Sequence, residues 1–205
     1  MIRLITLLGA GGLLLTRPAL AQQPATVTPP DTLHLQQVLD GPNPGLVLPG
    51  KLAVRKVLGG RARLLLPVDF QPLDRAALEV KYPRDDRPQE VYSDAAISVN
   101  LAFQQKPVAL TQAQITPALA EQLLTSIRRG FPTAKDYGHG VKTINGRKVA
   151  YLEVLTQATD TKVYNLMFVT DVNGRAAIAT FNCTEDQVKR WQPVARQMLN
   201  PLQVP

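Results

Sequence analysis

Cysteine is nearly absent from this chain. Cys183 stands alone among 205 residues, so no intramolecular disulfide can form and no Cys-rich metal cage can be built. Histidine is almost as scarce, and with only His34 and His139 an all-histidine metal site is excluded as well. No long apolar run occurs beyond the first twenty residues. Glycine, at 13 residues, is far too sparse for a collagen repeat, and at 45% hydrophobic residues the chain is too apolar to stay unfolded throughout. With no cross-link available, stability has to come from a hydrophobic core. The length allows one compact domain of about 150 residues behind a leader.

The leader is legible. Arg3 precedes an apolar stretch from Leu4 to Leu15, and Ala19-Leu20-Ala21 supplies the small-x-small arrangement that suits signal peptidase. A dozen apolar residues are too few to cross a hydrocarbon core of roughly 30 Å as a helix. Residues 1–21 therefore read as a cleaved signal peptide, with the mature chain beginning near Gln22 and working outside the cytoplasm, in a periplasmic or extracellular space. No cysteine stands at the cleavage point, which excludes a lipid-modified amino terminus. Loss of Arg3 and Arg17 lowers the formal charge from +7 to +5. That modest excess does not argue for nucleic acid, and no transmembrane segment is left after cleavage.

Residues 22–50 hold six prolines, Pro24, Pro29, Pro30, Pro42, Pro44 and Pro49. Proline at this density withholds backbone donors from helix and sheet, so the stretch reads as a spacer, with His34 as one of its solvated residues. The folded domain is expected over 51–205. Within it, 61–66 is the first good strand. Asp74 is placed to cap a short helix, with Leu73 and Leu78 as a hydrophobic staple and Pro83 as its stop. The loop 83–88 follows, with Asp85 and Asp86 flanked by Arg84 and Arg87. Alternation at Ile97, Val99, Leu101 and Phe103 predicts a strand over 97–104 with one face buried and the other wetter. Thr116 and Pro117 open a helix with a Leu119, Leu123, Leu124 and Ile127 stripe, and Gly130 is placed to end it in a left-handed turn.

The last third reads as an antiparallel meander. Asn145-Gly146 and Asn173-Gly174 are strong hairpin turns, and they bracket strands at 147–156, 162–170 and 175–182 behind a first strand near 140–144. A closing helix begins at Thr184-Glu185-Asp186-Gln187, read as a capping box, and Pro193 predicts a kink or a restart within it. The fold class is α+β: a twisted antiparallel sheet flanked by helices.

Three stretches carry a further likeness: VYSDAAISVNLAF (91–103), INGRKVAYLEV (144–154) and VYNLMFVTDVNGRAAIATFNC (163–183) followed by a helix. In pattern and order the chain resembles the PsbP/DcrB/Mog-type α/β/α sandwiches over roughly Gly59 to Val204. The resemblance implies an accessory or binding role and names no ligand. It also has limits: the spacer is unlike that of the photosynthetic members, and no metal site matches.

No catalytic constellation stands out. There is no Gly-x-Ser-x-Gly elbow, no His-x-x-x-His, no paired cysteine and no Asp/Asn-spaced calcium loop, so no cofactor or metal is expected. Cys183 shares strand parity with Phe181 and Ala179 and reads as a core residue. Two weaker features remain. Lys51, Arg55, Lys56, Arg61 and Arg63 form a basic stretch without an acid, read either as a contact for an anionic surface or as an edge strand protected by charge. Tyr137-Gly138-His139-Gly140 reads as a loop in which Tyr137 and His139 are the candidate binding residues. The expected function is an exported, non-catalytic binding or envelope accessory module whose partner is an envelope protein or small ligand. The alternative is a small secreted hydrolase using His139.

Overall fold

The computed structural model describes residues 51–204, so residues 1–50, expected to be a signal peptide and a proline-rich spacer, lie outside the described residues. The described residues open with a hairpin of β1 (Leu52–Val57) and β2 (Ala62–Pro67), a two-stranded sheet to which Gln203 adds a single antiparallel bridge at Arg63. Then come β3 (Gln71–Pro72), α1 (Arg75–Lys81), β4 (Glu90–Ser93), β5 (Asn100–Ala109) and α2 (Pro117–Gly130). The meander follows as β6 (Lys135–Ile144), β7 (Arg147–Gln157), β8 (Lys162–Val172) and β9 (Arg175–Thr184), and α3 (Val188–Leu199) closes the fold. The seven-stranded sheet runs β3-β4-β5-β9-β8-β7-β6 and every neighbouring pair is antiparallel.

Local chemistry accounts for most of these boundaries. Asn145 and Gly146 take φ of 48° and 77°, and Asn173 and Gly174 take 52° and 72°, the left-handed pairs that a two-residue hairpin turn needs. Asp74 accepts from the Ala77 N–H at 2.8 Å, and Thr116 caps α2 with Pro117 at its first position.

The sheet is covered on both faces, which is why its inner strands are apolar on both sides. On one face α2 lays Leu119, Leu124 and Ile127 against Ala150, Leu152, Val154, Met167 and Val169. Nearer the β3 edge of that face, α1 covers Val91 and Ala102. The opposite face is larger. There Trp191, Val194, Ala195, Met198 and Leu199 of α3, with Leu64 and Leu66 of the hairpin, pack on Leu166, Phe168 and Phe181. Burying each such side chain is worth about 1.5–3 kcal/mol. The result is an α/β/α sandwich in which the hairpin shares a layer with α3.

Several expectations need correction. The hairpin's first strand precedes the first strand read from the sequence. Strand β5 begins at Asn100, because the Asp94 carboxylate gathers the N–H groups of Ser98 and Val99 at 2.8 and 2.9 Å. That turn leaves Ile97 exposed at φ 54°. Nor is the second face of β5 wet. Asn100 and Gln104 are buried, the first donating to Asn182 at 3.2 Å and the second to the Asp86 carbonyl. Gly130 does not turn left-handed; the helix runs through it and ends when Phe131, at φ −137°, donates to the Ile127 carbonyl. At the last helix the Gln187 amide donates to the Thr184 hydroxyl, so the expected capping box is absent and a helical turn over Glu185–Gln187 leads in instead. Pro193 sits inside an unbroken α3, its missing donor facing the carbonyl of solvent-exposed Lys189.

Candidate functional site

Tyr137, Gly138, His139 and Gly140 lie within the edge strand β6, not in a loop. The register explains the difference. Asp136 pairs with Val154, but Gly138 pairs with Glu153, so Tyr137 is an extra residue bulged out of the ladder. Asp136 stabilises the bulge by accepting from the Gly138 N–H at 2.8 Å. Bulge and alternation together send the two candidate residues to opposite sides. His139 pairs with Leu152 and faces α2, whereas the Tyr137 ring leans toward Tyr164 on the α3 side, with centroids 6.4 Å apart. They are not brought together.

His139 is fully engaged. Its Nδ1 lies 2.8 Å from Asp136 Oδ2, and its Nε2 lies 2.7 Å from Glu121 Oε1 on α2. Only the imidazolium donates from both nitrogens, and these two acceptors, Glu121 foremost, raise its pKa above the ordinary histidine range. A base for nucleophilic catalysis needs one nitrogen free to take a proton from a neighbouring hydroxyl or thiol. Here both nitrogens hold carboxylates. Cys183 cannot serve as the partner, because it packs with Phe181 and Trp191 on the other face of the sheet. Burial pushes its thiol pKa up to about 12, the opposite of an activated nucleophile.

The glycines have a packing role. Gly138 and Gly140 take φ of 147° and 152°, and a Cβ on Gly140 would meet the Tyr151 ring at 3.3 Å. That ring covers the bare backbone of the edge strand, with the Lys142 ammonium 4.3 Å from its centroid. Tyr137, 39% exposed, is flanked by Lys135 at 5.0 Å from its ring. The open side of β6 is thus a strip of two tyrosines and two lysines over a glycine backbone.

Beside this strip lies a network that sequence reading missed. Glu153, 4% exposed in β7, accepts from Tyr164 Oη at 2.8 Å, from the Gln192 amide and from Arg196. A lone acid inside the apolar run 149–155 is the signal that could have flagged it. Glu121 and Asp136 left no such mark, since only the packing of α2 on β6 makes them partners of His139.

Asp85 and Asp86 stay in a surface loop, where Arg87 reaches Glu79 at 3.3 Å and Asp85 at 3.9 Å. Arg55, Lys56, Arg61 and Arg63 all belong to the β1–β2 hairpin, and Lys51 leads into it. Among the described residues, no group of three metal-ligating side chains converges, and no helix is long and apolar enough to cross a membrane.

Comparison with known proteins gives a fold. The structure aligns with cyanobacterial PsbP (CyanoP) from Synechocystis at a TM-score of 0.57, over 82% of this chain and 99% of that one, with 15% identity. The chain has the PsbP-type fold. Looser alignments include the Saccharomyces cerevisiae Ran-binding protein Mog1p (TM-score 0.46, 11% identity, 76% of this chain and 96% of that one). Another is LpqN of Mycobacterium tuberculosis (TM-score 0.37, 15% identity, 77% and 86%). No family model and no curated protein matches the sequence. At such identities the PsbP-type likeness speaks for topology and is silent on ligands.

Proposed function

We propose that the chain is an exported, non-catalytic binding module of the cell envelope, and that it recognises its partner through the open side of β6 around Tyr137. The observation that carries the reading is the state of His139. Both nitrogens are tied to carboxylates, neither has a hydroxyl or thiol partner among the described residues, and the one cysteine lies buried on the other face. What β6 does offer is an exposed aromatic on a rigid sheet edge, bordered by Lys135 and Lys142, which is the make-up of a recognition surface. His139 serves this surface indirectly, by clamping the bulge to α2. The PsbP-type fold and the signal-like leader fit an accessory role outside the cytoplasm.

Two measurements test it. The mature chain and His139→Ala should be equally inert toward chromogenic esters, amides and glycosides, and turnover that depends on His139 would overturn the reading. Cross-linking in envelope extract should capture a defined partner with the wild-type chain and lose it with Tyr137→Ala, the melting temperature staying unchanged. Capture that ignores Tyr137 would remove the β6 surface from the proposal.

A further inference from the structure

The layer that holds the hairpin and α3 has a one-signed charge pattern. Strand β2 and α3 lie side by side, with Phe70, just past the hairpin, packed on Trp191 at 5.5 Å between ring centroids. From Leu52 to Pro67 the hairpin carries Arg55, Lys56, Arg61 and Arg63 and not one acid. Helix α3 is likewise acid-free and adds Lys189 and Arg190, its remaining cation, Arg196, being held by Glu153. Acids appear at the rim, as Asp69, Glu185 and Asp186, and at the hairpin turn, where Glu90 accepts from the Gly59 N–H at 2.8 Å.

The outward face of the hairpin is the sharpest part. Lys56 and Arg63 are direct register partners, so two cations stand opposite each other where a like-charged pair costs stability. Among the described residues neither has a carboxylate within 4.0 Å. Val54 shares the face of Lys56 two residues along the strand and is 56% exposed, and Val68, just past β2, is 45% exposed. Folding alone gains nothing from paired cations and two bare valines in one hairpin. A layer of lipid phosphates rewards both features: the cations meet the headgroups, and the valines reach the boundary with the acyl chains.

We infer that the outward face of the β1–β2 hairpin, extended by Lys189 and Arg190 of α3, docks on the surface of an anionic phospholipid bilayer. The contact is peripheral and places the opposite layer, with α1 and α2, away from the lipid. The apolar pair decides between lipid and a soluble polyanion, since only a bilayer gives the valines somewhere to go. The inference rests on the reading of the chain as an envelope protein and concerns a surface separate from Tyr137.

The test is co-sedimentation of the mature chain with vesicles of phosphatidylglycerol and phosphatidylcholine in equal parts, against vesicles of phosphatidylcholine alone. Partitioning should require the anionic lipid and fall with salt. Lys56→Gln with Arg63→Gln should weaken it about 25-fold, at about fivefold per cation. Val54→Ser should weaken it further, while Tyr137→Ala should leave it intact. Equal partitioning to neutral vesicles would overturn the inference, and so would an unaffected double variant. Binding indifferent to Val54→Ser and abolished by competing polyphosphate would assign the face to a soluble polyanion and overturn it too. A melting temperature matching wild type certifies each variant as folded, and Tyr137-dependent capture is unaffected by any of these outcomes.

Discussion

Arg196 on α3 closes on Glu153 in the middle of β7, with Nη2 2.8 Å from Oε1 and Nε 3.2 Å from Oε2. The arrangement ties the closing helix to the sheet at a point where no apolar contact could, because a carboxylate buried there needs donors on every side. Tyr164 and Gln192 supply the others. Arg196→Ala should therefore destabilise the fold by about 2 kcal/mol, the cost of leaving a buried acceptor short of a charged partner. The half-exposed guanidinium keeps the figure below that of a fully buried pair. Arg196→Lys should recover about half. Chemical denaturation compares the three, and equal stability would show that Tyr164 and Gln192 satisfy Glu153 alone.

His139 predicts a pH dependence with a definite sign. Its pKa is raised above the ordinary 6.5 by Glu121 and Asp136, so the folded chain holds a proton that the unfolded chain releases. The stabilisation is complete below about pH 6.5 and is lost as pH rises through the folded-state value. Lys81 opposes this at higher pH: burial lowers its pKa to about 8, so its contribution grows as pH rises above that value. Comparing wild type with His139→Gln separates the two. The melting temperature of wild type relative to the variant should fall as the pH is raised above about 6.5. A constant difference would mean that the clamp is not ionic.

Much of this architecture was legible because it is local. Asn-Gly turns fix backbone φ within two residues, Thr116 and Asp74 cap their own helices, and strand parity sent Cys183 to the core. The misses share another cause. Tyr137 looked like loop because Gly138 and Gly140 follow it, yet those glycines exist to seat Tyr151 from the next strand. The Ile97 alternation was overridden by the Asp94 side chain, and Gly130 stayed helical because the Phe131 N–H closes the last turn. The hairpin's cations were visible as a run, but not their pairing across the turn or their meeting with α3. Sequence periodicity reports which side of an element is apolar and is blind to which element lies opposite.

Cys183 should behave as an inert core thiol. Buried at 1% exposure with its pKa pushed up to about 12, it presents almost no thiolate to solvent at neutral pH. Alkylation of the native chain should be slow and should accelerate with denaturant along the unfolding curve. Cys183→Ala should cost about 1–2 kcal/mol. Rapid labelling of the native chain would place the thiol at the surface and reopen nucleophilic chemistry.

Helix α2 offers the sharpest test of the layered packing. Leu124 is buried against the sheet, Leu123 is half-buried at the margin of the same cluster, and Gln122 is exposed. Truncating each to alanine removes side-chain atoms at three depths on one turn of helix, so propensity effects are shared and burial differs. Leu124→Ala should leave a cavity between α2 and β7 and β8 and cost about 2–5 kcal/mol. Leu123→Ala should cost about 1 kcal/mol, and Gln122→Ala less than about 0.5 kcal/mol. A domain of this size holds only about 5–15 kcal/mol in all, so the first change should lower the melting temperature visibly. It should also loosen the Glu121 contact with His139, since both residues depend on how α2 sits on β6. The pH-dependent part of the stability should then shrink in Leu124→Ala and persist in Gln122→Ala. If Leu123 and Leu124 cost the same, the helix is rotated from the position described, and the clamp on β6 has to be redrawn with it.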